Sequence, residues 1–206
     1  AYEESKEEVI VITNERNSEQ SFDLNANGLG SVLTLSEYEF TLDAGEEKEI
    51  ILYAVSDREP GLYVGVLKIV SEYETKEVPI VIEIGSELVL FDASIFISSD
   101  SKEVKQGGVL ETDITLFNVG SPRKVDVLLN YRVVDLTGNL ILEESETIAV
   151  QDQNTFSREF YLPNDIDYGT YVLGLEVIYV NSVAVSSSMF DVVAESESGL
   201  GGNETW

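Results

Sequence analysis

A short pattern occurs twice in this sequence of 206 residues, and it restricts the fold more than any other feature. One copy has Asp167, Gly169 and Tyr171 at its defining positions, and the other has Gly61 and Tyr63 in the same frame. Glycine adopts backbone angles that other residues avoid, so it suits a sharp turn. A tyrosine two residues later can begin a strand and return its hydroxyl to the backbone before the turn. We therefore predict the same structural corner at two places in the chain.

A second repeated segment sets the distance between the two copies. Asn14 and Asn118 each end an apolar run that is followed by a turn and another apolar strand. The two asparagines are 104 residues apart and the two corner glycines are 108 residues apart. One immunoglobulin-type sandwich takes about 100 residues, and the tyrosine corner is one of its hallmarks. The sequence therefore predicts an all-β protein of two tandem immunoglobulin-like β-sandwiches.

The period of the apolar residues and the turn signals place the domain boundaries. Apolar and polar residues alternate almost throughout, which is typical of strands. We predict one sandwich of seven strands at residues 1–84, a longer-stranded sandwich at residues 85–193 and a flexible polar tail at residues 194–206. Only about three residues around Gly85 join the sandwiches, so we expect an extended rod with some freedom to bend there.

The charge balance and the missing residue types exclude several functions. The chain has 12 basic and 39 acidic residues and no histidine, which gives a net charge of -27. Such a charge repels phosphate, so we expect no nucleic-acid partner. Without cysteine or histidine there is no disulfide, no thiolate nucleophile, no Ser-His-Asp triad and no cysteine or histidine metal site. We therefore predict a protein that is not an enzyme and holds no cofactor.

Three short segments are candidates for sites. Asp165 and Asp167 could together bind calcium, but the spacing is not that of an EF-hand, and Asp167 also belongs to the corner pattern. Asn203 begins the sequence Asn-Glu-Thr, an acceptor for N-glycosylation if the chain is exported. The apolar run at residues 9–12 could be donated to a neighbouring molecule as an added strand. We expect it instead to form the first strand, strand A, of its own domain.

The sequence contains no run of about 18 apolar residues, the length that spans a bilayer as a helix. Its last residues form a Glu/Ser/Gly-rich segment that ends in Trp206. Tryptophan is common where chains meet a membrane interface. We therefore expect a transmembrane anchor beyond Trp206, with a plain flexible tail as the alternative.

These motifs resemble those of known surface proteins. Residues 88–193 resemble the cell-adhesion-related immunoglobulin-like domains of archaeal and bacterial surface proteins, through the run at residues 115–120 and the corner from Asp167 to Tyr171. The first domain resembles accessory immunoglobulin-like domains of the same proteins, through Ala-Gly-Glu at residues 44–46 and Pro60 before its corner. The resemblance implies an extracellular or envelope location, a protein or envelope component as partner, and no catalytic residues.

Two functions follow from this resemblance. The first is a stalk, spacer or adhesion module, the ectodomain of a membrane-anchored protein. The alternative is a subunit of a filament or surface layer that associates with itself through edge strands or end-to-end domain contacts.

Overall fold

The computed structural model describes residues 6–55, 57–120 and 123–194, and strands form nearly all of its regular structure. The first domain contains β1 (Lys6–Thr13), β2 (Gln20–Asn27), β3 (Leu33–Leu35), β4 (Glu39–Leu42), β5 (Glu47–Ala54), β6 (Gly61–Ser71) and β7 (Thr75–Ile84). The second contains β8 (Phe91–Phe96), β9 (Glu103–Lys105), β10 (Val109–Asn118), β11 (Val125–Asp135), β12 (Leu140–Val150), β13 (Gln153–Tyr161), β14 (Gly169–Tyr179) and β15 (Ser182–Val193).

The first domain is a sandwich of two antiparallel sheets. Their strand orders are β1-β5-β3 and β4-β2-β6-β7. Alternate residues of each strand point inward, as in β2, where Phe22 and Leu24 are buried and their neighbours are exposed. The inward residues of both sheets meet in one core that includes Leu29, Val32, Ile50 and Leu67. The described residues of this domain form seven strands, the number predicted.

The second domain is a larger sandwich of the same kind. Its sheets have the orders β13-β10-β8 and β12-β11-β14-β15-β9. The hairpin of β14 and β15 pairs in continuous register from Gly169 with Val192 to Tyr179 with Ser182, as the sequence predicts. The last strand of the sheet, β9, runs parallel to β15. The chain is thus an all-β protein of two β-sandwiches, and the predicted fold class is confirmed.

The first strands of the two domains bear on two predictions. The link between the sandwiches is longer than the predicted three residues or so, because β7 ends at Ile84 and the first strand of the second sandwich starts at Phe91. Residues 9–12 lie within β1 and pair with β5 of their own domain. The repeat aligns Asn14, after β1, with Asn118, which ends β10. The expectation that residues 9–12 form the first strand of their own domain is confirmed, although β10, the counterpart of β1 in the repeat, is not the first strand of its domain.

The two sandwiches contact each other through an apolar cluster. Val64 of β6, Val134 of β11 and Val172 of β14 are buried together, with exposed fractions of 6%, 9% and 0%. Beside the cluster, the backbone N–H of Val183 donates to Ser86 Oγ at 2.8 Å, and the N–H of Ser86 donates to the carbonyl of Val183 at 2.9 Å. These contacts hold the segment around Gly85, where the sequence predicts some freedom to bend; that freedom stays a prediction.

Candidate functional site

Both predicted corners have the expected hydrogen bond. The hydroxyl of Tyr63 donates to the carbonyl of Glu59 at 2.8 Å, and the hydroxyl of Tyr171 donates to the carbonyl of Asp167 at 2.9 Å. The glycines of the pattern, Gly61 and Gly169, are the first residues of β6 and β14. Each bond therefore fastens the turn that precedes a central strand of its sheet.

Tyr171 is suited to this structural role by its surroundings. Its ring stacks on Phe190 with the ring centroids 5.9 Å apart. Burial raises the pKa of its hydroxyl, and the negative charges of Asp167 and Asp135 raise it further. The hydroxyl thus stays protonated and acts as a hydrogen-bond donor.

The candidate calcium site has two carboxylates at most. Asp165 lies in the turn before β14, and Asp167 gives its backbone oxygen to Tyr171. In the ranges that the structure describes, no three acidic residues come together in a way that could hold a metal ion. The corner explains Asp167 without a metal, and calcium binding stays a prediction. Asn203, the glycosylation candidate, lies outside the described residues.

A charged cluster ties the two sheets of the second domain together at one edge. Arg158 of β13 lies 2.6 Å from Glu146 and 2.7 Å from Glu144, both on β12. Its guanidinium also lies over the rings of Tyr131 and Phe160, 4.7 and 5.3 Å from their centroids. Since β12 and β13 are edge strands of different sheets, the cluster joins the sheets where they would otherwise separate.

Tyr131 completes this cluster. Its hydroxyl donates to Glu146 Oε1 at 2.9 Å. Burial raises the pKa of the hydroxyl strongly, and the hydrogen bond to Glu146 adds to the effect. The neighbouring Glu143 points the other way from Glu144 and pairs with Arg132 on the outer face of the sheet. All these contacts are intramolecular, and the cluster is structural.

The contact between the domains has a defined geometry that the sequence did not reveal. Leu62 of β6 lies directly over Gly174 of β14, and Gly61 lies beside Glu176 of the same strand. Ser187 Oγ of β15 donates to Glu83 Oε1 of β7 at 2.5 Å. The outer faces of two sheets therefore pack on each other, with β6 and β14 running in opposite directions.

The hairpin turn between β11 and β12 contributes to this contact. Leu136 packs against the interdomain cluster. Asp135 shapes the turn, because its Oδ1 accepts from the backbone N–H of Thr137 at 2.8 Å and of Asn139 at 2.9 Å. Partial burial would raise the pKa of this carboxyl, but the hydrogen bonds from Asn139 and Thr137 outweigh it and lower the pKa.

The first domain has a groove on one side of its sandwich. It runs between β1 and β7 and consists of two hollows of about 770 and 660 Å³ that share Ile10 in their walls. Ile69, Val78, Ile80 and Ile82 line it, together with polar and charged residues such as Glu74 and Lys76. Both bordering strands are the last strands of their sheets. We call this feature the β1–β7 groove; sequence analysis did not predict it.

The fold defines the class of the protein as a tandem β-sandwich, and comparisons with known proteins agree at that level. No protein family matches the sequence, and no curated protein matches it. Among solved structures, a CARDB domain from Pyrococcus furiosus is 15% identical, with 51% of this chain and 94% of that chain covered and a TM-score of 0.36.

Two further similarities extend over both domains. The CupB2 chaperone of Pseudomonas aeruginosa is 10% identical, with 90% of this chain and 91% of that chain covered and a TM-score of 0.36. A β-glucuronidase of Bacteroides uniformis is 10% identical, with 93% of this chain and 26% of that chain covered and a TM-score of 0.41. Similarities this distant concern the β-sandwich fold alone. The part of the chain that the structure describes has no helix with the length and hydropathy needed to span a bilayer.

Proposed function

We propose that this chain is a non-enzymatic protein of the cell exterior. Its two sandwiches act as one stalk, spacer or adhesion module, tethered by a membrane anchor that lies outside these 206 residues. The partner is a protein or another component of the envelope.

The observation that carries the proposal is the apolar contact between the domains. A spacer has to hold its two ends at a set distance and orientation. Burial of Val64, Val134 and Val172 between the sandwiches, together with the Ser86–Val183 hydrogen bonds, supplies that rigidity without a disulfide. Loops that two rigidly paired sandwiches hold in fixed positions are suited to binding a partner. Catalysis would instead need titratable side chains together in one pocket.

The composition supports the same function. With 39 acidic residues against 12 basic ones, molecules on the same surface repel one another and stay separate. The chain also lacks histidine, the side chain that most often acts as an acid or base near neutral pH. Both properties fit a display or spacing role.

Protease treatment of intact native cells would test the location. If the protein stands on the surface, an added protease removes it while a cytoplasmic control protein survives. Recovery with the membrane fraction after lysis, and release by detergent, would then test the anchor. Complete protection from protease in intact cells would contradict the proposal.

A second candidate is a subunit of a filament or surface layer. Among the described residues, no strand pairs with the outer edges of β1 and β7, which favours it, and so do Val9 and Val11, which are 53% and 56% exposed on β1. Exposed edges with apolar side chains are known sites of strand pairing between molecules. Size-exclusion chromatography at rising concentration would show high-mass species, and a Val9→Lys/Val11→Lys double variant would reduce them. Deleting residues 1–12 would be a poor test, since it removes most of β1 and part of the core.

A further inference from the structure

One asparagine of the sequence, Asn27, is followed by glycine, and the structure places this pair at the contact between the sandwiches. Asn27 is the last residue of β2 and pairs with Val66 of β6. Gly28 has a φ of 81°, which glycine adopts readily. A Cβ added at Gly28 would lie 3.2 Å from the carbonyl oxygen of Val64 and 4.0 Å from that of Thr137, in the β11–β12 turn. The pair therefore lies against the hairpin turn of the second sandwich.

An asparagine that precedes glycine can lose its side-chain amide without an enzyme. The backbone nitrogen of the glycine attacks the asparagine Cγ, and the new C–N bond closes a succinimide ring. The Cγ–Nδ2 bond breaks, and ammonia leaves with the proton of the attacking N–H. Water then opens the ring at one of its two carbonyl groups. The products are aspartate and isoaspartate, and in isoaspartate the main chain continues through the Cβ and Cγ atoms. Glycine favours this reaction because it has no Cβ to shield the attacking nitrogen.

Both reacting groups are accessible in this fold. The side chain of Asn27 is exposed, and it has no hydrogen bond among the described residues. The strand β2 ends at Asn27, so Gly28 lies outside the strand ladder. Its backbone N–H donates to no backbone carbonyl in the part of the chain that the structure describes. The nitrogen is thus available for attack on the neighbouring Cγ.

Other asparagines of the chain are less suited to the reaction. Asn17 and Asn181 are exposed, but each precedes a serine, whose Cβ shields the backbone nitrogen. The amide of Asn14 donates to the carbonyl groups of Ser18 and Leu42, which hold it away from its own main chain. We therefore expect the reaction to occur first at Asn27.

The isoaspartate product does not fit the space that Asn27 now occupies. It lengthens the main chain by one carbon–carbon bond, about 1.5 Å. The carbonyl oxygen of Asn27 packs so closely on Gly65 that no Cβ could lie between them, and this carbonyl becomes part of a carboxylate. After Gly28 the chain is held again, since Leu29 is 0% exposed and belongs to the core. The added length therefore displaces Gly28, which faces Thr137 of the second sandwich.

We propose that Asn27 is a site of spontaneous deamidation, with water as the only co-reactant, and that isoaspartate at this position separates the two sandwiches. The contact between the domains then has a limited lifetime, which the rate of succinimide formation sets. This inference goes beyond the spacer role and holds whether or not that role is correct.

Ageing of the complete chain in warm, mildly alkaline buffer would test the site. Peptide mapping by mass spectrometry should detect conversion of an amide to an acid first in the peptide that contains Asn27. Enzymatic methylation of isoaspartate should label the same peptide. The peptides with Asn17 and Asn181, from the same sample, should react several-fold more slowly. Asn27→Gln is the matched control, because it keeps the amide but would have to form a larger ring, so it should stay unmodified.

Small-angle X-ray scattering would test the consequence. The isoaspartate form, separated from the unreacted protein by ion exchange, should have a larger radius of gyration. Its circular dichroism should remain that of a β protein, which distinguishes separated sandwiches from an unfolded chain. Freshly purified Asn27→Asp adds the negative charge without lengthening the main chain, so it should keep the radius of the original protein. Aged Asn27→Gln should keep it as well.

Several results would overturn the proposal. For the site, they are reaction at Asn17 or Asn181 ahead of Asn27, and reaction at Asn27 only after the chain is unfolded in urea. For the consequence, they are an unchanged radius of gyration in the isoaspartate form, an equal increase in fresh Asn27→Asp, and loss of the β-sheet signal.

Discussion

Leu62 of the first sandwich lies over Gly174 of the second, and a side chain at residue 174 would enter the space that Leu62 occupies. We predict that Gly174→Leu separates the domains, since overpacking a filled contact costs about 1–3 kcal/mol. Small-angle X-ray scattering should show a larger radius of gyration, and the domains should unfold in two steps. Gly30→Leu is the control, because nothing lies within 4 Å of a Cβ there. An unchanged scattering curve for Gly174→Leu would show that the contact is easily repacked.

The corner hydrogen bond of the second domain can be removed without removing the ring. We predict that Tyr171→Phe lowers the free energy of unfolding by about 1 kcal/mol, the usual net value of one hydrogen bond. Tyr168→Phe serves for comparison, since Tyr168 is 59% exposed. Urea denaturation measures both. Equal stabilities of the two variants would mean that the turn holds without its tyrosine bond.

Asp135 should make stability depend on pH in the acid range. Its pKa in the folded protein is lower than the ordinary value of 3.8. Such a carboxyl stabilises the fold at pH values above 3.8, and the contribution is lost as pH falls from there through the lower folded-state pKa. Asp135→Asn should therefore be less stable than the original at pH 7, and the difference should shrink below about pH 4. A difference that stays constant between pH 7 and pH 3 would contradict this account.

Replacing Arg158, even by lysine, should lower the stability of the protein. We expect Arg158→Met to lower the free energy of unfolding by about 1–3 kcal/mol, because Glu144 and Glu146 lose a charged donor that is largely shielded from solvent. Arg158→Lys should recover only part of this loss, since an ammonium cannot bond both carboxylates and cover two rings at once. Arg132→Lys, at a more exposed pair, should have a smaller effect. Full recovery by Arg158→Lys would show that charge alone matters.

The parts of the fold that follow local rules could be predicted from sequence. The corners need only a glycine and a tyrosine in the right frame, so Tyr63 and Tyr171 were identified directly. The β14–β15 hairpin was also predictable, because its apolar residues alternate and residues 181–182 mark its turn. The strands β8 and β9 escaped prediction although residues 91–96 alternate between inward and exposed positions, because both strands are short and the bend at residues 98–102 separates them.

The interdomain contact and the groove depend on which elements pack beside a strand. The alternation of apolar and polar residues along the strand does not indicate those neighbours. Some signals were present nevertheless. The run from Leu62 to Leu67 is apolar at almost every residue, a pattern of strands covered on both faces. The second repeat has more than twenty residues between Ile84 and β10, which is room for two short strands.

The position of β1 determines how this molecule would carry a mechanical load. Lys6 lines the same hollow as Ile84 and Gly85, so β1 starts at the junction of the domains. The strand β15 also starts there, beside Ser86, and ends at Val193 at the far end of the second domain. A pull between Lys6 and Val193 is therefore borne along the length of the second sandwich, while the first lies beside the line of force. Within the first sandwich it acts on the end of β1, where Lys6 pairs with Ala54 of β5.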